Sequence, residues 1–156
     1  VIQGREAQGL RAPIFFAQQQ RMRRSMDGRM LPPMAIVLNH TIVPARDKGA
    51  SARFFAEVFG LPFKGAEGYF AKVRVNDQLT LLFDDDDAGR ESHHLAFHVS
   101  DAEFDAILAR VKAKAIAFGS GPDSTEDGKL NDWGGGRGFY FKDPDGHLYE
   151  LMTVPQ

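Results

Sequence analysis

Three residues of this chain, His40, His94 and Glu150, could together bind a divalent metal. Each sits in a short strand-like run: Asn39-His40-Thr41-Ile42, His93-His94-Leu95-Ala96 and His147-Leu148-Tyr149-Glu150. Two imidazoles and one carboxylate supply three protein ligands and leave coordination positions open for water or substrate. Such a set suits Lewis-acid chemistry, in which a metal grips two neighbouring substrate oxygens and stabilises developing negative charge. The ligand types accept one Fe, Mn, Zn, Ni or Mg per site without choosing among them. Binding needs neutral imidazoles and an ionised Glu150, so it weakens at low pH.

Strand alternation places His94, Ala96 and His98 on one face and His93, Leu95, Phe97 and Val99 on the other. A one-residue slip would exchange His93 for His94. Glu150 falls between Leu148 and Met152 on one strand face, where a carboxylate is costly unless paired or coordinated. A salt bridge from Arg137 or Lys72 is the structural alternative to a metal there. Residues that could assist chemistry are Tyr140, His98 and Arg137, with Tyr69 and Tyr149 as further phenols. Spacing prefers none of them. His98 could equally be a solvent-facing strand end, and Arg137 either an anion clamp or an exposed arginine. His147 follows an Asp145-Gly146 turn and is expected to face outward. The Asp84–Asp87 run lacks the spaced ligands and loop glycine of a calcium loop and reads as a solvated turn.

The elements that must position these residues repeat. Ile36 to Ala45 reads as a strand, and Asp47 as the N-cap of a helix through Phe59 that Gly60 terminates. Strands are expected at Phe63–Gly65, Tyr69–Val75 and Leu79–Phe83. The second half reproduces this order: a strand from His93 to Val99, a helix from an Asp101 cap through Ala113, then strands at Ile116–Phe118, Phe139–Phe141 and Leu148–Val154. His40 through Asp47 corresponds to His94 through Asp101 at an offset of 54 residues. The pattern is an internal βαβββ repeat, about 36–86 and 92–154, within a domain spanning 34–156. Residues 119–138 form a Gly-rich loop containing Trp133 and Gly134-Gly135-Gly136, expected to be a flexible rim with Trp133 as a stacking surface.

Residues 1–33 differ from the rest. They hold Gln18-Gln19-Gln20 and Leu31-Pro32-Pro33, and six arginines give them a net charge of +4 against -6 for the remainder. A basic extension outside the domain, with Met34 as a natural start, is the simple expectation; a partner helix over Ile14–Met26 is the alternative. The absence of cysteine excludes disulfides, zinc–thiolate sites, iron–sulfur clusters and thiol catalysis, and fits a cytoplasmic protein. A net charge of -2 gives no reason to expect nucleic acid, and no apolar run approaches the roughly 20 residues of a membrane span.

The two units, with the run Gly138-Phe139-Tyr140-Phe141-Lys142-Asp143-Pro144-Asp145-Gly146-His147-Leu148-Tyr149-Glu150-Leu151, resemble the vicinal oxygen chelate superfamily. That group includes glyoxalase I, bleomycin-resistance proteins, fosfomycin-resistance enzymes and extradiol dioxygenases. The resemblance implies an α+β fold in which two βαβββ units build an open, U-shaped, eight-stranded sheet around a metal. It implies His40, His94 and Glu150 as ligands, and a homodimer whose site can draw ligands from two chains. The position that supplies a fourth ligand in glyoxalase I falls near Leu81, which speaks against that activity. Three functions remain open on the sequence. The leading one is a metal-dependent lyase, isomerase or transferase acting on a small oxygenated molecule. The others are an iron-dependent ring-cleaving dioxygenase and a non-catalytic protein that sequesters a small ligand.

Overall fold

The computed structural model describes residues 36–86 and 91–155. The basic extension at 1–33 lies outside them. From residue 37 onward the chain clusters as one compact unit.

The first half runs β1 (His40–Ala45), α1 (Lys48–Phe59), β2 (Ala71–Arg74) and β3 (Thr80–Asp85). The second runs β4 (His94–His98), α2 (Asp101–Ala113), β5 (Phe118–Gly119), β6 (Gly138–Lys142) and β7 (Leu148–Met152). They form two sheets, ordered β1-β3-β2 and β4-β7-β6-β5. In each, the first strand of the unit lies parallel to the last, and the remaining neighbours are antiparallel. The α+β repeat expected from sequence is therefore the architecture.

Seven strands, not eight, are present among the described residues. Phe63–Gly65 does not pair. Pro62 has no N–H to give, and Gly65 and Gly68 take φ of 107° and 87°, which break an extended run. Its counterpart β5 is itself only two residues long.

Local chemistry accounts for the helices. Asp47 caps α1 by accepting from the Ala50 N–H, and Gly60 ends it in the left-handed conformation. The α2 cap is Ser100, not Asp101. Ser100 accepts from the Glu103 N–H while the Glu103 carboxylate accepts from the Ser100 N–H, a reciprocal box. Asp101 is already helical and spends its carboxylate on Arg137.

Alternation buries Val43, Ala45, Val73, Leu81 and Phe83 on one face of the first sheet. Phe55 of α1 then reaches both sheets, its ring 6.0 Å from Phe83 and 5.6 Å from Tyr149. Phe59 stacks on Phe55 at 4.2 Å and meets Phe97 edge-on at 4.9 Å. One helix thus joins the two halves into one core. The opposite faces of the sheets carry His40 and Ile42 on one and His94, Ala96 and His98 on the other, all exposed.

Candidate metal centre and its supports

His94 and Glu150 meet. The parallel register sets His94 opposite Leu148 and Ala96 opposite Glu150, so the two side chains share a face one diagonal step apart. Their Nε2 and Oε2 atoms are 3.0 Å apart. Glu150 is 6% exposed, whereas half of the His94 side chain faces solvent. The pair is a buried carboxylate with an accessible imidazole beside it. Among the described residues Glu150 pairs with His94, whereas Arg137 pairs with Asp101 and Asp105.

Tyr140 lies directly opposite Glu150 on β6, and its hydroxyl hydrogen-bonds the carboxylate. Burial, reinforced by that hydrogen bond and the adjacent negative charge, pushes the phenol far above its ordinary value. The Tyr140 hydroxyl therefore meets Glu150 as a hydrogen-bond donor. The Tyr140 ring lies 6.0 Å from that of His94 and 5.9 Å from that of Trp133.

The fit to a metal can be tested on geometry. Two donor atoms each about 2.1 Å from a shared ion and at right angles lie about 3 Å apart. The His94–Glu150 separation matches that spacing. His40 stands elsewhere, at the start of β1, exposed, with Nδ1 2.9 Å from Asn39 Oδ1. Among the described residues no group of three His, Asp or Glu side chains converges closely enough to hold a metal. One chain brings together two of the three expected ligands. The position equivalent to Glu150 in the first sheet is Leu82, two residues beyond the partner of His40 and one beyond the Leu81 expected from sequence.

The other candidates are otherwise engaged. Arg137 pairs with Asp101 and Asp105, each at 2.6 Å, and its guanidinium lies 4.5 Å from the Phe104 ring centre. It pins the start of α2 and does not stand open as an anion clamp. His98 Nε2 is 3.3 Å from the Thr153 carbonyl, at the exposed end of β4. The rim over 119–138 is stitched by hydrogen bonds where flexibility was expected. Asp127 accepts from the Ser120 N–H and hydroxyl and from the Lys129 N–H, and Asn131 donates to the Ser120 carbonyl. In the aspartate run, Asp85 belongs to β3 and takes the Lys48 N–H at 2.8 Å.

His147 departs most from expectation. It is fully buried, not outward-facing. Its Nδ1 accepts from the His93 N–H at 3.0 Å, so Nε2 carries the proton and donates to the Pro44 carbonyl at 2.7 Å. Asp145 joins the same junction, accepting from Arg46 at 2.8 Å and from the Ser51 hydroxyl. Asp143 folds the turn by accepting from the N–H groups of Asp145 and His147, and Gly146 supplies φ of 88°. The Asp-Pro-Asp-Gly-His run is a clamp that ties the second unit to β1 and α1. Sequence reasoning could read its turn but not partners about a hundred residues away.

The geometry agrees with the comparisons to known proteins. Residues 37–151 match the model of the Glyoxalase/Bleomycin resistance protein/Dioxygenase superfamily. The chain belongs to that superfamily. A metallothiol transferase, FosB of Lysinibacillus sphaericus (strain C3-41), is 29% identical over 122 residues, covering 74% of this chain and 81% of its own. Two solved structures resemble it more strongly. Oxidase ChaP-H1 is 41% identical with a TM-score of 0.73, over 78% of this chain and 98% of that one. Oxidase ChaP-H2 is 39% identical at the same TM-score, over 78% and 96%. No helix among the described residues of this superfamily member is long and apolar enough to cross a membrane.

Proposed function

We propose that the protein is a metal-dependent enzyme that chelates two neighbouring oxygens of a small molecule, and that its reaction is an oxidation. The observation that carries the metal reading is the buried Glu150 set 3.0 Å from an accessible His94 and steadied by Tyr140. A carboxylate fixed by a donor on one side and open toward an imidazole on the other is poised as a ligand. Support for oxidation comes from the two oxidases at about 40% identity. The 29% likeness to a metallothiol transferase supports the second reading, a transferase on the same site.

His40 completes the ligand set from a second copy of the chain. Two features support this. β1 and β4 are both edge strands, each pairing on one side only, and each begins with a histidine on its exposed face. Exposed apolar Leu38 and Ile42 flank His40, which suits an edge that becomes covered. In such a dimer His40, His94 and Glu150 would hold the metal, while the Tyr140 hydroxyl would keep Glu150 oriented. A metal held this way supplies Lewis-acid charge to both substrate oxygens and, as iron, the redox capacity for dioxygen chemistry.

The test is metal content of protein purified without chelator, beside His40→Ala, His94→Ala and Glu150→Ala. About one metal per chain, lost in each variant, is the expected result. Mixing His40→Ala with Glu150→Ala chains restores one intact site per mixed dimer if the ligands come from two chains. No recovery on mixing sinks the shared site. Absence of metal, even after incubation with divalent ions, sinks the enzyme and leaves ligand sequestration. Substrate-dependent dioxygen uptake separates oxidation from transfer.

A further inference from the structure

We propose that Trp133 and Tyr140 form an aromatic wall beside the His94–Glu150 pair, and that it selects substrates carrying their two oxygens on a planar aromatic group. The inference rests on the metal-site reading above and adds a substrate class to it.

The wall is a chain of ring contacts running outward from the ligands. His94 meets Tyr140 at 6.0 Å, and Tyr140 meets Trp133 at 5.9 Å with planes 62° apart. Tyr140 is 3% exposed, but Trp133 is 47% exposed. The buried ring therefore supports an open one. The half-exposed indole offers an aromatic face on which a flat apolar group can stack.

Trp133 is also held in place. It opens a single 3₁₀ turn, its N–H donates to Asn131 Oδ1 at 3.3 Å, and its carbonyl accepts from the Gly136 N–H at 3.2 Å. Gly134 in that turn takes φ of 66°, which favours glycine. Val154, itself 37% exposed, abuts the turn so closely that a Cβ on Gly136 would lie 2.8 Å from its Cγ2. Val154 thus packs against the backbone of the turn that carries the indole and leaves that backbone little room to swing. A planar ring chelated at His94 and Glu150 would extend along the indole, whereas an aliphatic chelator of the same head group would leave it bare.

Two hydroxamates share one bidentate oxygen head group and differ in the ring: benzohydroxamate and acetohydroxamate. Calorimetric titration of the metal-loaded full chain should show benzohydroxamate binding about tenfold more tightly, the upper range for one aromatic pair. Trp133→Ala should cut that ratio to about threefold or less without weakening acetohydroxamate, and Trp133→Phe should recover part of it. Trp133 is the chain's single tryptophan, so its emission should respond to benzohydroxamate beyond any response to acetohydroxamate. Binding of acetohydroxamate with no ring preference, or a preference that survives Trp133→Ala, overturns the wall alone. Failure of both chelators with no metal retained removes the metal site and the wall with it.

Discussion

Replacing His147 with alanine tests the clamp between the two halves directly. The parent ring is fully buried and fills two hydrogen bonds at once, from the His93 N–H and to the Pro44 carbonyl. Truncation leaves both main-chain groups without that partner. Each orphan costs about 1–3 kcal/mol, toward the lower end here because His93 is only half-buried. The cavity left by the ring adds about 1 kcal/mol or more. The sum is about 3–5 kcal/mol, a large share of the roughly 5–15 kcal/mol typical of a whole domain. Urea unfolding at fixed protein concentration reads it: with a slope of about 2 kcal/mol per M, the midpoint falls by about 1.5–2.5 M. His147→Asn keeps an acceptor near the Nδ1 position, and His147→Gln keeps a donor near Nε2. Each should lose about half as much as alanine. A loss below about 1 kcal/mol for alanine, or amides no better than alanine, would refute the clamp as the source of the stability.

Three other outcomes follow from the same contacts. Burial alone would raise the Asp145 carboxyl, but Ser51 and Arg46 outweigh it and hold it below the usual value. Its contribution is thus present above about pH 4 and lost as pH falls through the folded value, so Asp145→Asn should melt lower than the parent at pH 7 and approach it only below pH 4. Equal melting temperatures at pH 7 would contradict this. Gly119→Ala would set a Cβ 1.7 Å from the Ser124 carbonyl oxygen, so the variant should lose near-ultraviolet circular dichroism or soluble yield; parent-like melting would show the loop can give way. Arg137→Met should keep its metal and lower the melting temperature only slightly, because the guanidinium serves Asp101 and Asp105; metal loss would return Arg137 to the site.

The sequence revealed the repeat because β-branched runs, caps and glycine stops recur at one offset, and those signals are local. Asp47 and Gly60 cap and close α1 as their residue types predict. The α2 cap moved one residue because Ser100 and Asp101 are both good caps, and only the position of Arg137 showed which was engaged elsewhere. Alternation correctly placed His94, Ala96 and His98 on one exposed face. It could not show that Glu150 reaches His94, which depends on the parallel register of β4 and β7. Nor could it place His147 inside, since a histidine after Asp-Gly looks like a turn residue until Pro44 is brought to it. Parallel pairing and partners distant in the chain leave no local trace.

The double duty of α1 has a consequence for synthesis. β1, β2, β3 and α1 are complete once residue 85 has been made, yet Phe55 and Phe59 still await Phe97, Phe141 and Tyr149. At ordinary translation speeds that wait lasts on the order of several seconds. During it a nascent chain displays two stacked phenyl rings on one helix, and the clamp that secures them comes from residues 143–147, close to the last strand. The halves of this protein are topologically separable but not independently finished, because the rings of α1 complete their packing only against the second half.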